Sequence, residues 1–223
     1  MAATPLALRA GSPAALARYV ARQLDSLVPA DGADADAEQV RALVPHALER
    51  LRPILAAVRN FDPGRFNHFN ALQYATFLYL LGNEQWHRST TDALADRLFC
   101  LNRALNAIDL FHAVPMPEVF FISHGLGAVL GNASYGDRLV VFQNVTVGRV
   151  ADARPVLGQN VVLYPGAVVT GDAVVGDNCV IAAGTVIHGA RIPSDTVVSA
   201  GADGLVLTPR RRDYAGLYFR SGE

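Results

Sequence analysis

Residues 156–192 read VLGQNVVLYPGAVVTGDAVVGDNCVIAAGTVIHGARI. Stepping by six from Leu157 lands on Leu163, Val169, Val175, Ile181 and Ile187, all aliphatic. Four residues after each step stand Val161, Ala167, Ala173, Cys179 and Thr185, all small or moderate. One further on stand Val162, Val168, Val174, Val180, Val186 and Ile192, with Gly, Asp and Asn collecting between. A helix repeats every 3.6 residues and a strand every two, so neither holds a period of six. A short strand followed by a tight corner does. Three such units close one coil of a triangular prism, and coils stack as a parallel β-helix about 4.8 Å apart. The aliphatic position is then predicted to point inward and the small one to fit the corner. Cys179 reads as a buried corner residue rather than a nucleophile. The repeat decays at Arg191-Ile192-Pro193, where the prism is expected to end.

The N-terminal half has a helical period instead. Residues 13–28 carry Leu16, Tyr19, Val20 and Leu24 at helical spacing, with Ser12 as N-cap and Pro13 at the first helical position. Residues 36–59 place Val40, Leu43, Ala47, Leu51 and Leu55 on one face, and Pro45 and Pro53 are expected to kink or split that helix. FDPGRFN at 61–67 reads as a turn. Residues 68–82 form a very apolar helix, expected to break at Gly82-Asn83. Thr91 is expected to cap a last amphipathic helix, with Cys100 packed within it. The chain is therefore read as α+β: an all-helical region over 1–108, a β-helix over 109–208 and a C-terminal tail over 209–223.

Composition narrows the classes. Half of the 223 residues are hydrophobic and the net charge is −1, which gives no basic footprint for nucleic acid. All 19 cations are arginine. The lack of lysine removes Schiff-base chemistry and a GK[ST] phosphate loop. Two distant cysteines make neither a disulfide framework nor a zinc spacing. Arg9 and Arg18 interrupt the early apolar residues, so no signal peptide is read. No apolar run reaches membrane length, and a cytoplasmic setting is the default expectation.

One residue stands out from its surroundings. Residues 119–131 read VFFISHGLGAVLG, with the imidazole of His124 in an otherwise apolar, glycine-rich run. Its residue type allows a hydrogen-bonded core histidine, a metal ligand or a general base.

The segment from Asp109 to Val186 resembles the serine O-acetyltransferases of the hexapeptide-repeat acyltransferase superfamily. Asp109-Leu110 stands where that family has DIHP, and Ser123-His124-Gly125-Leu126-Gly127 where it has DHATG. Gln143-Asn144-Val145-Thr146-Val147-Gly148 resembles QSVTLGG, Asp152-Ala153-Arg154-Pro155 stands at DRHP, and Ile181-Ala182-Ala183-Gly184-Thr185-Val186 resembles IGAGSVV. Phe69-Asn70-Ala71-Leu72-Gln73 is similar to the family's FHALQ. The resemblance implies a left-handed β-helix, against the usual crossover hand. It implies a homotrimer with active sites between prisms, paired into hexamers in some members through the helical region. It implies acetyl-CoA as donor. No metal is expected, because the surroundings of His112, His124 and His188 do not match the zinc motif of the gamma-class carbonic anhydrases, which share this fold. His124 falls on the family's catalytic base and Asp109 on the carboxylate that orients it. A base of ordinary pKa near 6.5 can take a hydroxyl's proton as that oxygen attacks a thioester, and a carboxylate on the other ring nitrogen fixes the tautomer. Gly166, Ala183, Gly184 and Ala202 match positions that line the CoA groove. Arg210, in the run 210–212, is a candidate for the 3′-phosphate.

The departures bear on the acceptor. The family has Asp directly before the catalytic His, and here it is Ser123; it has a second His in DRHP, and here it is Arg154. Asp62 is a candidate for a further amine contact. Arg154 can hold a carboxylate as a bidentate fork, or a phosphate of a nucleotide sugar. Serine or a serine-like hydroxy amino acid is the first expectation for the acceptor. A sugar or nucleotide sugar is the second, and a non-catalytic scaffold the third.

Overall fold

The computed structural model describes residues 5–30, 33–89 and 93–221, with the second span's side chains described from residue 37. Helix α1 spans Pro13–Leu27, and Ser12 caps it by accepting from the amide of Ala15. Helix α2 spans Ala33–Ala57 as one continuous element with Pro45 and Pro53 inside it, against the expected break. Pro45 is exposed and Pro53 half-buried, while Val40, Leu43, Ala47, Leu51 and Leu55 are buried. The carbonyls that lose a partner to Pro45 therefore lie on the solvent side, where water can satisfy them.

Helix α3 spans Ala71–Arg88 and is capped by Asn70, whose side chain accepts from Leu72 and Gln73. It runs through Gly82-Asn83 instead of stopping there. A Cβ at Gly82 would sit 3.5 Å from the Cβ atoms of both His112 and Leu98. Asn83 donates to the carbonyl of His112 at 2.5 Å. The glycine allows close packing, and that tertiary contact overrides the local stop signal. Helix α4 spans Ala93–Asn106. The cap expected at Thr91 lies outside the described residues. Cys100 is exposed, not packed, because it falls off the buried stripe of Leu94, Leu98 and Leu101.

The chain then enters the prism. Its first face stacks Phe120–Ile122, Leu139–Val141, Val162–Leu163, Val180–Ile181 and Thr196–Gly201 in parallel. The second stacks Asp109–Leu110, Val129–Leu130, Thr146–Gly148, Val168–Thr170 and Val186–His188. The third stacks Ser134–Tyr135, Val156–Leu157, Val174–Val175 and Arg191–Ile192. Leu157, Leu163, Val169, Val175, Ile181 and Ile187 are all buried, as are the corner residues Val161, Ala167, Ala173, Cys179 and Thr185. The Cys179 thiol donates to Pro193 O at 3.1 Å, and burial raises its pKa.

Two readings of the prism need correction. Ile192 belongs to the inward set: it pairs with Val175 and is buried. The last corner is one residue short, so the pattern slips by one there. The prism also does not end at Pro193. Thr196–Gly201 adds a further strand on the first face, and Gly204–Pro209 folds back on it as an antiparallel hairpin.

Beyond the hairpin the chain returns along the outer side of the first face. Tyr218 packs on Phe121 and Phe142 and donates to the hydroxyl of Tyr164 at 3.2 Å. Phe219 is fully buried and bridges to Val58. Arg220 reaches the end of α2 and donates to the carbonyls of Leu55, Ala56, Val58, Arg59 and Phe61. Those include carbonyls that a helix C-terminus leaves unpaired, and the cation suits the negative end of the helix dipole. The tail thus ties prism to helices. Among the described residues no helix is long and apolar enough to cross a membrane.

Candidate active site

The corner between the first and second faces carries most of the expected site. At this corner Gly127, Asn144, Gly166 and Gly184 stand one above another, all with left-handed backbone: φ is +72°, +57°, +72° and +68°. Each upper residue's amide bonds the coil below: Asn144 to Leu126 O, Gly166 to Gln143 O, Gly184 to Pro165 O. Glycine adopts this conformation without the clash a Cβ brings. Ala183 and Gly184 are exposed on the corner, and nothing lies within 4 Å of where a Cβ on Gly184 would be. The result is an open line of backbone, free of side chains at its upper coils.

His124 stands at the foot of this line. It is exposed, and its own φ is +50°, a strained value for a residue with a side chain. Its carbonyl accepts from Leu126 at 2.8 Å, which turns the loop sharply. Gly125 permits the turn, because a Cβ there would lie 2.4 Å from Cγ2 of Ile122. No described group hydrogen-bonds the His124 ring. Beside it opens a cavity of about 190 Å³ between the prism and the ends of α3 and α4.

Asp109 is placed one layer below, paired in register with Val129. Its carboxylate lies 3.5 Å from Nε of Arg103, and no hydrogen bond joins it to His124. The orienting bond that the resemblance implies is thus absent from this arrangement. Ser123 is buried, its amide bonded to Val141 O at 2.7 Å. Arg154 is exposed in the loop that lengthens the second coil, without a partner among the described residues. Asp62 is exposed in the turn after α2, where its carboxylate accepts from Gly64 at 3.0 Å.

Ala202 lies exposed in the hairpin turn. The hairpin's register carries Ser199–Gly201 past the end of Val180–Ile181, in the direction of the Ala183-Gly184 corner. Arg210 is committed elsewhere: its Nη2 donates to Asp195 at 2.8 Å and its Nη1 to Arg212 O at 2.9 Å. Asp195 ends a side-chain ladder with Asn160 and Asn178 on another corner. Arg210 therefore closes the top of that ladder.

Sequence reading missed the tail strap and the cavity. Neither has a local signal, since both are built from residues far apart in the chain. The histidines do not gather either. His112 is buried with Nε2 2.8 Å from Asp96, and His188 is exposed with Nδ1 3.1 Å from the Thr170 hydroxyl. Among the described residues no three of His, Cys, Asp and Glu side chains cluster as a metal site.

The family model for the bacterial transferase hexapeptide (six repeats) matches residues 154–189. The chain is 25% identical over 135 residues to a serine acetyltransferase of Staphylococcus aureus, a match covering 56% of this chain and 63% of that one. The serine acetyltransferase structure of Neisseria gonorrhoeae superposes with a TM-score of 0.70 at 18% identity, covering 90% of this chain and 79% of that one.

Residues 154–189 thus carry a hexapeptide repeat, and the chain as a whole is similar in fold to serine acetyltransferases.

A further serine acetyltransferase structure, in complex with CoA, has a TM-score of 0.68 at 19% identity, covering 87% of this chain and 84% of that one. In its described residues the chain shares with these structures the order of four helices followed by a parallel solenoid of about five turns. The sequence match spans less than two thirds of the Staphylococcus relative's length.

Proposed function

We propose that this protein is a CoA-dependent O-acyltransferase that moves an acetyl group from acetyl-CoA to the hydroxyl of a small acceptor. The observation that carries the reading is the single corner with His124 at its foot and the open backbone of Gly166, Ala183 and Gly184 above it. Coils about 4.8 Å apart put Gly184 roughly 14 Å above Gly127, a span that suits an extended pantetheine arm. In this reading His124 takes the acceptor's proton as its oxygen attacks the thioester carbonyl, then returns that proton to the departing CoA thiolate. Asp109 orients the ring once it leaves Arg103. Ala202, on the hairpin turn, closes the upper end of the groove. Arg210 contributes by holding the hairpin base.

The acceptor proposed for testing first is serine or a serine-like hydroxy amino acid, with Arg154 on its carboxylate, Ser123 beside the base and Asp62 as the amine contact to be tested. Arg154 is free to make that contact, which also leaves the sugar reading open. A homotrimer is part of the proposal. The tail packs on the lower coils of the first face through Tyr218, whereas Val129, Val156 and Val186 on the other two faces are 40%, 44% and 56% exposed. Outward valines on two faces of a prism suit burial against neighbouring copies.

The test is CoA thiol release from acetyl-CoA with L-serine, homoserine and a small sugar panel. Removing a general base costs about 10² to 10⁴ in rate. His124→Ala is therefore expected to lose at least 100-fold with whichever acceptor drives release. Equal turnover by wild type and variant would make His124 structural and end the proposal.

A further inference from the structure

The cavity beside His124 has a lining that the acetyl-transfer reading does not explain. Its floor is Ile108 and Ile122, its helical wall Ala71, Leu72 and Ala75, and its rim the exposed Leu105 and Leu126. His124 is its only titratable lining side chain. Its one amide, Asn106, already donates to Asn102 at 2.9 Å. No carboxylate or guanidinium faces it: Asp109 and Arg103 pair with each other outside it. An ammonium or carboxylate pushed in here would lose its water and gain no counter-ion. An aliphatic chain would lose nothing. An apolar cavity of about 150 Å³ holds a benzene, so about 190 Å³ suits a chain of roughly four to six carbons.

We infer that this cavity is a specificity pocket for a short aliphatic chain on one of the two reactants, a proposal that rests on the acyltransfer reading. The chain enters either as the acyl group of the thioester or as the apolar part of the acceptor alcohol. In both cases the reacting carbonyl or hydroxyl stops at His124 while the chain points toward α3. The bond changes stay those of thioester alcoholysis: one C–O bond forms, one C–S bond breaks, and the acceptor's proton ends on the thiol.

Each buried methylene strengthens binding about fourfold. The full-length protein is titrated calorimetrically with acetyl-, butyryl- and hexanoyl-CoA, and separately, with CoA present, with 1-propanol and 1-hexanol. Thiol release is measured for the same donors with serine and with both alcohols. One arm is expected to gain about 30-fold or more from its shortest to its longest member, and that arm names the source. Ala71→Phe, at an exposed position, and Ala75→Leu, on the wall, are each expected to cut that ratio below about threefold. A chain-length gain in binding without any turnover keeps the pocket and removes the transfer reading. Turnover that is flat with chain length in both arms keeps the transfer reading and overturns the pocket. So does a gain that survives in both filled variants, and so does the absence of any binding or turnover.

Discussion

The prism and the helical region reach dry cores by opposite routes. In the prism, each inward residue meets its own kind one coil away: Leu163 lies between Val141 and Ile181 in register. In the helical region the polar ties are between strangers. Tyr79 donates to Val114 O at 2.6 Å, Asn83 to His112 O, and Asn102 to Ala75 O at 3.0 Å. One region is a column of nearest-neighbour contacts, the other a set of distant ones. Damage should therefore stay local in the first and spread in the second.

The largest stability effect expected is in the column. Leu163 is fully buried with little room to collapse, so Leu163→Ala should cost about 3 kcal/mol. Amide exchange should quicken in the strands on either side, at Val140–Val141 and Val180–Ile181, and hardly change in α1. Equal acceleration in α1 would break the distinction. Second comes the strap that joins the regions. Arg220 serves five carbonyls at the end of α2, and bonds to a charged group are worth about 1.5–3 kcal/mol each without adding fully. Arg220→Met should lower stability by about 2 kcal/mol. It should also separate the unfolding of the helices, read by Trp86, the chain's one tryptophan, from that of the prism, read by circular dichroism. A single shared transition in the variant would mean the tail is not what couples them. Third, Pro45 sits on the solvent side of an unbroken helix, so Pro45→Ala should stabilise by about 1 kcal/mol or more in urea unfolding.

The same contrast explains what could be read from the residues. The six-residue period named the prism, its inward set and its corners because each coil repeats the one before. It failed at Ile192, where one missing corner residue shifts the register, and at the hairpin after Pro193, where the repeat stops but the sheet does not. In the helical region the local signals were overruled from a distance. Gly82-Asn83 looks like a stop until His112 and Leu98 close on it. Of the site, His124 stood out as an imidazole in an apolar run, whereas its expected role and the positions Gly166, Ala183 and Gly184 came from the family resemblance and not from the period. The Arg103 partner of Asp109 and the apolar cavity come from packing between the two regions, and the engagement of Arg210 with Asp195 from the hairpin folding back on the last coil; no local pattern reports on either.

The smallest effect expected is a pH slope from one ring in the helical region. His68 is buried against Tyr19 and Phe69, with ring centroids 4.6 and 4.2 Å away, and its Nδ1 has no hydrogen-bond partner among the described residues. Burial first, and then the nearby charge of Arg9, hold its pKa below the ordinary 6.5. The unfolded chain takes up this proton near pH 6.5, while the native protein resists it until a lower pH. Below 6.5 the unfolded state therefore binds more protons, and folding stability falls as pH falls. Above 6.5 both states carry a neutral ring and the contribution is complete. His68→Phe keeps an aromatic ring between Tyr19 and Phe69 and removes the titration. The drop in thermal midpoint from pH 7.5 to 5.5 should then be smaller in the variant than in the wild type. Carboxylates titrating further down are common to both proteins and cancel in that difference. An identical drop in both would show that this ring takes up its proton as readily in the folded protein as in the unfolded one. The matched experiment in the column, Cys179→Ala, should leave the same slope untouched, since burial keeps that thiol protonated throughout this range.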